Sequence, residues 1–415
     1  MSAAACTLAK SGTTIDLLAG DYALVKYLPI GSVPRDFGVL SGSGVDIATV
    51  TRTDKSAPRV VRLVVEVSGT DGQDCEDNLN DLIAVLPDTG ETATLSVTRT
   101  DGDAAVTLTV LAASDLECDY DLARDAGPRA TLTVDLACEP YAYGAATTLY
   151  NASAVTVPCV LSLASMTGLH AAPLSVLLDA TTANLHHVAA GVYPDASATI
   201  AKFVLEAVDL TWSAGAADTD ANGYPDGDGN TVWKTNAAAG VYADVDVTDF
   251  EPGSYAVYVN AKADADATAA TLETTYTAAV DIESADLRRH LLGIVSLPCS
   301  AVRGSATSSL RVTMKGDATY YAYANTIEFI PLSWGFAGWH HTTTTSYADK
   351  LRFEDGICYA DDIASVAYMM GDGEIIALGG TLVVTGEGTA EAANVAVTAT
   401  VTYTPRWEQF PDGTA

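Results

Sequence analysis

The chain is 415 residues long and 48% hydrophobic, and carries 53 acidic against 21 basic side chains, a formal charge of −32. That length suits roughly two or three domains with sizeable cores, which excludes an intrinsically disordered chain. So acidic a surface lacks the Lys and Arg that neutralise phosphates, which argues against binding nucleic acid or anionic membranes.

Asp outnumbers Glu, and Lys is scarcer than Arg. Two readings of that bias stay open: adaptation to concentrated salt, where screening removes self-repulsion, or an ordinary acidic protein of a GC-rich genome. The start, MSAAACTLAKSG, lacks a basic segment followed by an apolar core, so no signal peptide is expected. No apolar run approaches the roughly 20 residues that span a bilayer. A soluble protein made in the cytoplasm is the expectation. Cysteines stand at 6, 75, 118, 138, 159, 299 and 358, widely spaced and without a CxxC pair. Buried reduced thiols are expected, with a Cys118–Cys138 disulfide across a hairpin as the alternative.

In chain order, RVVRLVVEV (59–67) is rich in β-branched residues and reads as a strand. In DCEDNLNDLIAVL, Leu79, Leu82, Ile83 and Leu86 recur at helical spacing and form one apolar stripe. Asp71 and Asp74 are candidate N-caps, and Pro87 and Gly90 stop the helix. ATLSVTR (93–99) and AVTLTVLAA (105–113) alternate about Asp101-Gly102, a hairpin signal. A further strand in RATLTVDLACEPYAYG (129–144) puts Leu132, Val134, Leu136 and Cys138 on one face. Strand, helix, hairpin, strand makes one compact α+β unit.

From about residue 155 the pattern becomes short strands between Gly, Asp, Asn and Pro clusters: 173–180, 203–212, 253–263, 273–282, 309–316 and 325–334. This spacing indicates a sandwich or jelly roll. Residues 380–405 alternate again and are expected to return to the first region. The expected fold class is therefore mainly β with one α+β domain.

The sharpest local feature is DTDANGYPDGDGN (218–230), where Asp218, Asp220, Asn222, Asp226, Asp228 and Asn230 set oxygen ligands on alternate residues of a Gly-rich loop. Calcium loops gather hard ligands in this way. Gly229 stands where an EF-hand needs its bidentate Glu, and no flanking helices are evident. A solvated acidic turn and a calcium loop both remain open. No cofactor is required by any motif. His186-His187 and His340-His341 are the paired histidines, and structural roles are expected because nothing nearby completes a ligand set. Trp334, Phe336 and Trp339 cluster in PLSWGFAGWHH. Either they form a buried sandwich edge, or they contact a glycan or partner. No GxSxG, phosphate-loop, HExxH or strand-linked GxGxxG motif occurs, so no enzyme activity is expected.

VVRLVVEVSG, NLNDLIAVL, the TDGD hairpin and CEPYAYG follow one another in an order that resembles the belt domain of siphovirus distal tail proteins. HAAPLSVLLDA (170–180) and NTIEFIPLSWGF, with Glu328 near the usual Asp, resemble strands of that family's galactose-binding-like jelly roll; LRFEDG (351–356) and VTYTPRW (401–407) resemble its return to the belt. The resemblance implies a belt-type ring domain at 1–150 completed by 380–415, and a galactose-binding-like β-sandwich at 151–379. It further implies a non-enzymatic virion protein at the tail tip, forming a hexameric ring with copies of itself. Tail tube, tip hub and tape-measure proteins would be its neighbours, and the host a halophile if the acidic bias is a salt adaptation. The alternative within the same setting is a carbohydrate-binding adhesin or receptor-binding tail-tip protein that takes host surface glycans.

Overall fold

The computed structural model describes residues 5–30, 37–40, 49–52, 58–88, 90–98, 105–121, 128–168, 171–180, 185–219, 231–264, 270–282, 287–297, 309–332, 335–339, 348–365, 369–371, 374–388 and 395–407. These residues are mainly β, and they divide into two units. The first takes Met1–Ala146, Gly168–His170 and Thr404–Ala415; the second takes Thr147–Thr167 and Ala171–Tyr403.

In the first unit the strands are β1 (Ala5–Lys10), β2 (Thr13–Asp16), β3 (Tyr22–Ile30), β4 (Phe37–Leu40), β5 (Thr49–Arg52) and β6 (Arg59–Ser68), then helix α1 (Gly72–Ala84), β7 (Ala93–Thr98), β8 (Val106–Asp121), β9 (Arg129–Cys138) and β10 (Ala142–Tyr143). Their main sheet is antiparallel, in the order β2-β1-β7-β8-β9-β6-β3, while β4 and β5 form a separate hairpin. Alternation in RVVRLVVEVS buries Val61, Leu63, Val65 and Val67 on one face. Helix α1 lies over β6 and β9 and adds Cys75, Leu79 and Leu82 to that core. Ile83, expected on the same stripe, is only partly buried.

Capping fixes where α1 begins. The Asp71 carboxylate accepts from the Asp74 backbone N–H at 2.9 Å. Asp74 reaches back to the Thr70 N–H and hydroxyl at 2.7 and 2.9 Å, which holds its carboxyl below the ordinary range. Asp71→Ala should therefore cost about 1 kcal/mol in denaturant unfolding. No loss would mean that tertiary packing alone sets the helix start. Gly69 is required here too, because a Cβ on it would lie 2.2 Å from the Cys75 backbone nitrogen.

Two expectations for this region need correction, and a third falls on residues that are not described. Cys118 lies opposite Leu132, and Cys138 opposite Val110, so they do not face each other across the hairpin; both are reduced, and Cys118 is exposed. Residues 381–403 do not return to the first sheet: Thr381–Gly388 and Val395–Tyr403 pair within the second unit. Only Arg406–Trp407 joins β10. Residues 100–103, the expected turn, lie outside the described residues.

The second unit begins with β11 (Thr147–Val157), β12 (Cys159–Ser162), β13 (Ala172–Ala180) and β14 (Leu185–Tyr193). Four antiparallel sheets follow from the pairings. The first contains β11, Val395–Tyr403, β13 and Lys350–Glu354; the second contains β12, Thr381–Gly388, β14 and Phe336–Trp339. The third is built on Ala322–Pro331, Gly253–Ala263 and Arg288–Leu297; the fourth contains Val241–Asp246, Ser309–Lys315 and Thr271–Thr274. One core, with Leu174, Val176, Val188, Val192, Leu382 and Val401, joins the first sheet to the second. Another, with Val257, Val259, Leu272, Val312, Ile327 and Phe329, joins the third to the fourth, and Ala189 and Val383 bring the second sheet's other face onto it. The central strands of the second and third sheets, β14, Gly253–Ala263 and Ala322–Pro331, are thus buried on both faces over most of their length, and β14 is buried at every residue.

The expected strand at 203–212 is broken into a helical turn (Ile200–Phe203), a short strand (Val204–Glu206) and a 3₁₀ turn (Ala207–Asp209). Local bonding explains it: the Trp212 indole N–H donates to the Ala207 carbonyl at 2.7 Å and closes the turn. Among the described residues no helix is long and apolar enough to cross a membrane.

Candidate metal centre

The two central sheets of the second unit meet through a polar patch. From one side come His186 and His187 on β14 with Thr385 and Glu387 on Thr381–Gly388; from the other come Asn260, Arg289, Thr326 and Glu328. All eight are buried. Such a cluster is tolerable only where every charge is paired and hydrogen-bonded.

Successive strand residues point to opposite faces, so adjacent histidines should not share a site. A register shift between His186 and Ala189 breaks that rule, and His187 takes φ +47°. Left-handed backbone of this kind costs roughly 1–3 kcal/mol outside glycine and must be held by its surroundings. The bulge brings the two imidazole centroids to 3.6 Å. His186 pairs in register with Glu387 on the neighbouring strand. Its Nδ1 stands 2.7 Å from Glu387 Oε1, and His187 Nε2 stands 3.5 Å from the same oxygen. Among the described residues, His186, His187 and Glu387 are the group whose donor atoms lie close enough to hold a metal ion, all within 4.8 Å of one another.

Arg289 organises the surroundings. Its backbone N–H donates to Glu387 Oε2 at 3.2 Å, and its guanidinium donates to Glu328 at 2.8 Å, to the His187 carbonyl and to the Thr385 hydroxyl. The guanidinium carbon lies 3.7 Å from the centre of the Tyr258 ring, a cation–π contact, and burial raises that phenol above its usual range. Asn260 donates to Glu328 at 2.9 Å and to Thr326. His290, next along the strand, is held below the ordinary imidazole value by desolvation.

Of the other residues singled out from sequence, Asp218, Phe336 and Trp339 are described, and the Trp339 ring stands edge-on to His186 at 6.4 Å between centroids. Asp218 is on a strand, its carboxylate held below the ordinary range by the Lys234 ammonium 2.6 Å away, and that ammonium competes with any calcium for the oxygen. Asp220, Asn222, Asp226 and Asp228 lie outside the described residues, as do Trp334, His340 and His341. Phe336 and Trp339 are buried in the second sheet, and the Trp339 indole donates to Ser365 at 3.1 Å. That corrects the contact reading: neither ring offers a face to a sugar or partner. Glu387 went unnoticed because it stands 201 residues from His186. Its one signal is an acid inside the apolar strand TLVVTGEG.

No protein-family model matches the sequence, and no curated protein matches it. Among solved structures the chain is similar to the Dit protein (gp 19.1) of phage SPP1, described as a paradigm of the hub adsorption apparatus in phages infecting Gram-positive hosts. The TM-score is 0.31 at 18% identity, over 47% of this chain and 72% of that one. It is also similar to chains of the phage p2 baseplate in its activated conformation. The strontium structure gives TM-score 0.29 and 9% identity over 96% of this chain and 97% of that chain. The calcium structure gives 0.28 and 8% over 97% of each. Scores of this size leave function to be argued from the chain itself.

Proposed function

We propose that the chain is a structural protein of a virus tail tip, whose first unit stands side by side with copies of itself as a ring between tail tube and tip complex. The observation that carries this reading is the order strand, helix, hairpin, strand over 59–144, folded as one antiparallel sheet with a single helix laid across it. Among the described residues β2 and β3 end that sheet, each with one edge open to pairing. Open edges need covering, and a repeated head-to-tail contact that closes on itself covers them in every copy. The charge of −32 fits the setting, because an acidic wall repels DNA passing through a ring. Tail tube, hub and tape-measure proteins are the partners this reading implies, with no catalytic step. A glycan-binding role finds no support in Phe336 and Trp339, which are buried.

Size-exclusion chromatography with mass detection, in concentrated salt to screen the self-repulsion, tests the proposal. Closed rings of several copies, hexamers by the resemblance, are expected and should be visible by negative stain. A monomer at high protein concentration in that buffer overturns it.

A further inference from the structure

We propose that His186, His187 and Glu387 together bind one transition-metal ion of the zinc class. The donor set is two imidazole nitrogens and one carboxylate oxygen, the set that zinc takes when a fourth position stays open for water. Calcium and magnesium are poor candidates, since they prefer six or more oxygen ligands.

Distances support an ion at this point. With metal–ligand bonds near 2.0–2.2 Å, tetrahedral donors stand about 3.4 Å apart. His187 Nε2 and Glu387 Oε1 are already 3.5 Å apart. His186 Nδ1, at 2.7 Å, is at the spacing of a shared proton. Replacing that proton with a metal opens the gap by about 0.7 Å. Orientation is prepared as well. Arg289 fixes the far carboxylate oxygen of Glu387 through its backbone N–H and the His187 backbone through its guanidinium, as outer partners do around metal ligands. The guanidinium is paired with Glu328 at 2.8 Å, which offsets its repulsion of a cation. The His187 side chain keeps 10% exposure against 1% and 0% for the other two, so ion and water enter on its side.

The test uses the purified full chain, stripped with chelator and titrated with Co²⁺, whose tetrahedral complexes absorb intensely in the visible. The expected result is a band that saturates at one equivalent and is displaced by Zn²⁺. Glu387→Gln and His187→Ala should each weaken binding by at least about 100-fold, beyond what an outer-shell loss costs. A His340→Ala/His341→Ala variant should keep the band. No band in the wild-type chain overturns the proposal, and so does a band that survives both ligand variants or disappears with His340 and His341. Should the ligand variants fail to fold by circular dichroism, X-ray absorption at the cobalt edge of the wild-type complex decides. Two imidazole nitrogens support the site; one or none overturns it.

Discussion

Glu328→Ala should destabilise the second unit by about 3–5 kcal/mol, more than any loss of packing volume at the same position, because it strands a charge. The Arg289 and Glu328 side chains are 1% and 2% exposed and 2.8 Å apart. Bringing two such groups out of water costs several kcal/mol per ion, and their mutual attraction repays it only while both are present. Removing the carboxylate leaves the guanidinium in a dry layer, and Asn260 loses the acceptor it holds at 2.9 Å. The cause can be separated from simple cavity formation. An Arg289→Met/Glu328→Leu pair removes both charges and should recover most of the loss, although the His187 carbonyl and Thr385 would lose a donor. Hydrogen exchange along Ala322–Pro331 reads the stability of this layer apart from the first unit. If Glu328→Ala changes it by less than about 1 kcal/mol, water reaches the pair and the layer is not dry.

How far the sequence foretold this molecule depends on the range over which each signal acts. Helix α1 was legible because Leu79 and Leu82 repeat along a few turns and Asp71 bonds to a residue three positions on. The β7–β8 hairpin was legible for the same reason. Strands at Gly253–Ala263 and Ser309–Lys315 declared themselves by alternation. Alternation says that a segment is a strand and which residues share a face, but not which strand it joins. Residues 381–403 show the limit: they read correctly as strands, yet their partners are β11 to β14 rather than the first sheet. The metal candidate was hidden more deeply. LHHVAAGVY is buried on both faces, so no polar–apolar alternation marks its inner side, and the bulge that turns both histidines one way leaves no local trace. Its third donor comes from a strand far along the chain that pairs with β14, and its organising arginine from the other sheet, brought in only when the central sheets stack.

That stacking makes a second strong expectation, at Gly191. A Cβ built there would lie 2.0 Å from the Pro331 carbonyl oxygen and 3.2 Å from Ile330 Cγ2. The first of these atoms is backbone, so no rotamer change relieves the clash. Either β14 or the strand Ala322–Pro331 must shift, and both are held by neighbours on each side within their sheets. Overpacking a well-filled core costs about 1–3 kcal/mol when side chains can adjust. Gly191→Ala belongs at or above the top of that range, because here whole strands must move. Gly72, with nothing within 4 Å of its built Cβ, provides the comparison. Gly72→Ala should change stability by no more than about 0.5 kcal/mol. Denaturant unfolding and exchange protection across β14 measure both variants. A Gly191→Ala protein as stable as Gly72→Ala would mean that the backbones of the two central sheets do not touch, and the polar patch would then have room to fill with water.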